Sequence, residues 1–194
     1  MVPTTTTFPA DTTLHGDGFV LRPLLETDAA DVLRACTDEL TQRWLPLPSP
    51  YTIDDALSFI SHFAPEAQRS GSGLVRAIEV DGRLGGCIDL KKTDWPARVS
   101  EVGYWVAPWA RGAGLAGRAT RVLAQWVLRE LGLERVELRA APGNIGSQRA
   151  AERAGFTREG VLRNAGHVHE GRVDLIVYSL VRADLGLADG AAPD

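Results

Sequence analysis

A chain of 194 residues, 44% hydrophobic and 24% charged, is long enough to bury one sizeable core and has the composition of a single globular domain. Its formal net charge of -4 argues against a general nucleic-acid binder, and two cysteines, Cys36 and Cys87, are too few for a disulfide framework. No apolar run is long enough for a membrane span and the Thr/Pro-rich start lacks a signal-type hydrophobic segment, so the expectation is a cytoplasmic protein with no membrane partner.

Residues 1–13 and 186–194 read as disordered tails around one domain, 14–185. Phe19 to Leu24 reads as a strand, after which Thr27-Asp28 caps a helix carrying Ala30, Val32, Leu33 and Cys36. Prolines at 46, 48 and 50 make Trp44 to Tyr51 an extended loop. Thr52 or Asp54 then caps a second helix with Ala56, Leu57, Phe59, Ile60 and Phe63 on its apolar face. Strands over 74–80 and 84–90 join through Asp81-Gly82-Arg83, a hairpin signal. A strand over 101–106 leads to a long amphipathic helix over 115–131, closed by Gly132. There follow a strand over 135–140, a Pro-Gly-Asn turn, a short helix over 147–154, and a hairpin of 156–163 with 173–181. The order β-α-α-β-β-β-α-β-α-β-β implies an α/β (α+β) fold, a mixed sheet with helices on both faces. His15, His62, His167 and His169 lack metal-ligand spacing, so no metal is expected.

The stretch Pro108-Trp109-Ala110-Arg111-Gly112-Ala113-Gly114-Leu115-Ala116 joins a strand to a helix start. Amides at a helix N-terminus lack intrahelical partners and the macrodipole favours negative charge there, so small residues at this place describe a diphosphate-binding turn. Residues 112–117 match Gly-x-Gly-x-x-Gly formally. Pro108 to Arg111 separate the first glycine from the strand, however, and Glu134 precedes the next strand instead of ending it, which counts against a nicotinamide cofactor.

The register Arg111-x-x-Gly114-x-Ala116 resembles the acyl-CoA signature of the GNAT superfamily of N-acetyltransferases. The element order is that family's, and Asn144 to Phe156 is similar to its second motif, an asparagine with Gly155-Phe156 following eleven residues on. Leu21-Arg22-Pro23-Leu24, Gly103-Tyr104-Trp105 and Asp174 to Leu180 resemble the ribosomal-protein alanine acetyltransferase (Rim-type) branch. The resemblance implies a mostly antiparallel sheet of six to seven strands and an acetyl-CoA-dependent N-acetyltransferase. The acceptor would be a primary amine, on a protein N-terminus or a small molecule, with acetyl-CoA as co-substrate and a homodimer as a family-level expectation.

It also implies roles. Strand 101–106 splays from strand 135–140, and the pantetheine arm pairs with the backbone of Trp105 and Val106. The amides of Arg111, Gly112, Ala113, Gly114, Leu115 and Ala116 hold the diphosphate, and Asn144, which by itself reads as an N-cap, bonds the arm. Glu101 is the expected general base, though by position alone it is an exposed strand-start charge. The tyrosine that many relatives place seven residues after the asparagine is Ala151 here, so Ser147 is expected to serve the leaving thiolate. Trp44 and Tyr104 are expected on the acceptor side. A non-catalytic acyl-CoA-binding module is the competing function.

Overall fold

The computed structural model, which describes residues 7–187, assembles eight strands into one sheet of order β1-β2-β3-β4-β5-β6-β8-β7. The strands are β1 (Leu14–Gly16), β2 (Phe19–Arg22), β3 (Leu74–Val80), β4 (Arg83–Asp94), β5 (Val99–Val106), β6 (Arg135–Ala140), β7 (Thr157–Val168) and β8 (Gly171–Val181). Every neighbouring pair is antiparallel except β5 and β6. That exception follows from the connection, because only a crossover helix brings the chain back to start a parallel neighbour.

The crossover helix is α5 (Leu115–Arg129), whose stripe of Leu115, Ala119, Leu123, Ala124, Val127 and Leu128 is buried against one sheet face. Helix α6 (Ile145–Ala154) shares that face. On the other lie α1 (Ala29–Cys36) and α3 (Ile53–Ser58), which runs through a π-turn (Phe59–Phe63) into α4 (Ala64–Ser70). Strand alternation serves both layers: Ile78, Ile88 and Val102 face α5, while Ala77 and Cys87 face α1 to α4.

Several expectations change. The sheet has eight strands instead of six or seven, because Leu14–Gly16 forms a short hairpin with β2. Residues 7–13 are no tail. Phe8 is 4% exposed with its ring 5.1 Å from that of Trp95, and the buried Arg76 donates to the carbonyls of Thr12 (2.7 Å) and Ala10 (3.3 Å). A guanidinium inside a core must find acceptors, and the segment supplies them. Residues 1–6 and 188–194 lie outside the described part, whereas Gly186 closes a 3-10 turn over Arg182–Leu185. Finally, Asp28 does not cap α1 with its side chain: its carboxylate takes two bonds from Arg22 (2.8 and 2.9 Å) and one from the Leu25 amide. Thr52, by contrast, caps α3 as expected, in a reciprocal box with Asp55.

Between α1 and the proline loop the chain forms a further short helix, α2 (Glu39–Trp44), capped by Asp38. The final hairpin is also longer than expected, running to a turn at His169-Glu170.

Candidate active site

Strands β5 and β6 pair only from Val99–Arg135 to Val102–Leu138. Beyond that point each keeps its outer partner: β5 follows β4 as far as Val106–Gly86, and β6 follows β8 as far as Ala140–Ile176. The two strands therefore part inside an otherwise continuous sheet, as expected of 101–106 and 135–140. Ala107 N–H donates to Gly85 O on β4 (2.9 Å). Because successive residues alternate, Val106 turns its N–H and C=O into the gap. Its carbonyl receives Arg111 Nε at 3.1 Å.

At the end of β5 a 3-10 turn (Pro108–Ala110) leads to Arg111 and then to α5. Gly112 and Gly114 hold φ of 91° and 71°, a region that strains any residue with a Cβ. Helix α5 starts without a side-chain cap, whereas α2, α3 and α6 are capped by Asp38, Thr52 and Asn144. The N-terminal amides of the longest helix are thus left for an outside acceptor, and an added Cβ at Gly112 would meet nothing within 4 Å. An anionic diphosphate fits this cradle in charge and in room.

Two side chains of the turn, Trp109 and Arg111, hold it in place through contacts the sequence did not reveal. Trp109 Nε1 donates to Leu84 O (2.9 Å), and the Arg83 guanidinium lies 4.2 Å from the Trp109 ring centre. The Arg111 guanidinium pairs with the Asp38 carboxylate and donates to Thr41 Oγ1 (2.9 Å), tying the turn to α2. That pairing, followed by the Thr41 amide, holds the Asp38 carboxyl below its ordinary pKa. The only local signal was Asp38 three residues before Thr41, a cap pattern before a short helix. Trp44 at the end of α2 reaches across to the β6–α6 turn, where a Cβ on Gly143 would come within 2.9 Å of its ring. Trp44 therefore lies against the turn that follows β6, on the α2 side of the gap, and a groove of about 540 Å³ opens outside α2 toward His169 and Glu170.

On the opposite face Asn144 Oδ1 accepts the Ser147 amide (3.1 Å), which makes it the α6 cap. Ser147 Oγ lies 2.9 Å from the Tyr104 hydroxyl. Tyr104 thus turns away from Trp44 and joins the α5–α6 core, where burial pushes its pKa up to about 12. Trp105 points the other way, packing against the α1–α4 layer, and by the same alternation as Ala107 its backbone groups face β4, so of the two residues expected to pair with the arm only Val106 offers its N–H and C=O to the gap.

Glu101 is 8% exposed and sits where β5 and β6 are still paired, opposite Glu137. Lys92 Nζ approaches to 2.9 Å, Lys91 Nζ to 3.3 Å and the Arg139 guanidinium to 3.7 Å. Burial alone would raise its pKa, but these three cations outweigh burial and hold it low. Glu101 is an ionised carboxylate already engaged on several sides.

Residues 19–157 match a family model described as an acetyltransferase (GNAT) domain. YdaF of Bacillus subtilis strain 168, provisionally named a ribosomal N-acetyltransferase, is 37% identical over 113 residues, 58% of this chain and 62% of YdaF. The chain thus matches less than two thirds of that relative's length. Among solved structures, one described as a probable acetyltransferase is 30% identical with a TM-score of 0.78, covering 89% of this chain and 98% of its own. Mycobacterium smegmatis RimJ in complex with CoA-disulfide has the same fold, with a TM-score of 0.80 at 24% identity over 92% of this chain and 90% of RimJ.

Proposed function

The chain belongs to the GNAT acetyltransferase family, and from that premise we propose that it transfers an acetyl group from acetyl-CoA to a primary amine. One observation carries this reading: the parting of β5 and β6 opens directly beside the uncapped, glycine-bearing start of α5. A thioester arm threaded through the gap meets the inward-turned backbone of Val106 while its diphosphate rests on 111–116. Acetyl-CoA supplies an acyl carbon activated by a thiolate leaving group. The protein's part is to orient it, exclude water and handle protons. In this reading the gap-facing Val106 N–H stabilises developing negative charge on the carbonyl oxygen. In the same reading Ser147, whose hydroxyl lies 2.9 Å from that of Tyr104, hydrogen-bonds the departing sulfur, the role for which Ala151 has no side chain. Asn144 caps α6, and its amide nitrogen is available to the arm.

The name borne by YdaF favours a ribosomal protein as the acceptor, and on basicity a protein N-terminus, with an amine pKa of roughly 7.7–8, is the easier nucleophile than a lysine near 10.4. The test is thiol release from acetyl-CoA against alanine-, serine- and methionine-initiated peptides, spermidine, kanamycin and free amino acids. Turnover on one class supports the proposal. Acetyl-CoA binding with no acetylated product on any of them supports a binding module instead.

A further inference from the structure

Besides Glu101 and Glu137, which is paired with Arg135 and Arg139, the face of the sheet toward α1–α4 holds a third carboxylate beside the gap. Asp89 stands on β4 opposite Gly103 of β5, and Gly103 is the first β5 residue after the last one paired with β6, Val102. A Cβ on Gly103 would lie 2.7 Å from Asp89 Oδ1 and 3.0 Å from Lys91 Nζ. The missing side chain is therefore what lets the Asp89 carboxylate lean across β5 toward the point where the strands part. Its situation differs from that of Glu101. No side-chain hydrogen bond or ion pair within 4 Å engages Asp89 among the described contacts, whereas Glu101 absorbs Lys91, Lys92 and Arg139. The charged groups facing Asp89 are Lys91 on its own strand and Glu101 on β5, with the buried Cys87 thiol one pleat along toward the helices.

We infer that Asp89 is the general base of the transfer, taking a proton from the acceptor ammonium at the mouth of the β5–β6 gap. This inference rests on the proposed acetyl transfer. An ammonium entering from the Trp44 side gives one proton to an Asp89 oxygen and becomes a neutral amine. The amine nitrogen bonds to the thioester carbonyl carbon and the carbon–sulfur bond breaks. The nitrogen's surplus proton passes to the sulfur through the Ser147 hydroxyl, giving amide and thiol, and Asp89 returns its proton to solvent. Burial, more than Lys91 offsets, raises the Asp89 pKa, with the Glu101 charge adding to the rise, so this carboxylate is the stronger base of the two.

The experiment compares wild type and Asp89→Asn over pH 6 to 10 with an alanine-initiated hexapeptide, or with the best acceptor of the panel above. At pH 6.5 the variant should lose on the order of 100-fold in kcat/KM, the scale of a removed general base. At pH 9.5, where solution has already deprotonated the amine, the gap should close to a few-fold, with acetyl-CoA affinity unchanged throughout. A structural role for Asp89 would lower activity equally at every pH. Carbon-13 side-chain NMR gives a second readout without turnover: one Asp carboxyl should titrate above the ordinary aspartate value of about 3.9 and vanish in the variant. Gly103→Ala, which displaces the carboxylate, should copy the kinetic pattern. Parallel pH profiles, or an Asp89 carboxyl titrating at or below the ordinary value, would overturn the inference while leaving wild-type acetyl transfer standing. Absence of wild-type turnover on every amine would remove the proposed function itself, and this assignment with it.

Discussion

Gly114 and Gly82 share a backbone strain but not a location, and that makes them a matched pair. Gly82, in the β3–β4 hairpin, has φ of 74° and no atom within 4 Å of an added Cβ; Gly114 has φ of 71° and only an Arg153 guanidinium nitrogen, at 3.6 Å. An alanine in the left-handed region costs about 1–2 kcal/mol, partly offset by about 0.4–1 kcal/mol from a stiffer unfolded chain. Each substitution should therefore destabilise by about 1 kcal/mol, a Tm drop of roughly 2–4 °C at this chain length. Only Gly114→Ala also puts a methyl group into the cradle. Losing one charge-assisted bond there, about 1.5–3 kcal/mol, weakens acetyl-CoA roughly 10- to 100-fold. Calorimetric titration of both variants, with thermal melts alongside, reads the two effects separately. Equal melts with equal acetyl-CoA affinity would show that the turn is not where the diphosphate rests.

Three further outcomes follow from particular contacts. Arg111→Met removes the partner that depresses the Asp38 pKa, so hydrogen exchange over Glu39–Trp44 should quicken at neutral pH. In the wild type this support is complete above the unfolded Asp value near 3.9 and is lost as pH falls through the lower folded value; equal exchange in both proteins refutes the staple. Ser147→Ala should lower kcat about 100-fold and Tyr104→Phe about tenfold, with the KM for acetyl-CoA little changed, and an unaltered kcat in both removes the sulfur-side assignment. Phe8→Ala should cost about 3 kcal/mol in denaturant unfolding and shift Trp95 fluorescence, and a loss under about 0.5 kcal/mol would mean the 7–13 segment is not docked.

What the sequence disclosed was what is written locally. The 3.6-residue stripe of α5, the glycines before it and the Asn144 cap each lie within one turn of what they determine, so the helix starts around the gap were legible. The rest depends on partners far along the chain. Helix α2 is only six residues long and is stitched down by Arg111, 73 positions from Asp38, so no window of sequence contained its reason to form. Phe8 was hidden by its Thr/Pro neighbours, because the arginine that anchors its segment lies on β3. Glu101 was rightly placed on β5, but the cations that engage it come from β4 and β6. Asp89 became visible only once strand register set it opposite a glycine.

Every proposed role above depends on acetyl-CoA lying in the gap between β5 and β6 with its diphosphate on the turn before α5. Amide shift mapping by NMR during titration with acetyl-CoA tests it most directly. The largest shifts should fall at Val106 and from Arg111 to Ala116, reproduced by CoA and absent with NADH. Shifts centred elsewhere, or the same shifts produced by NADH, would contradict it.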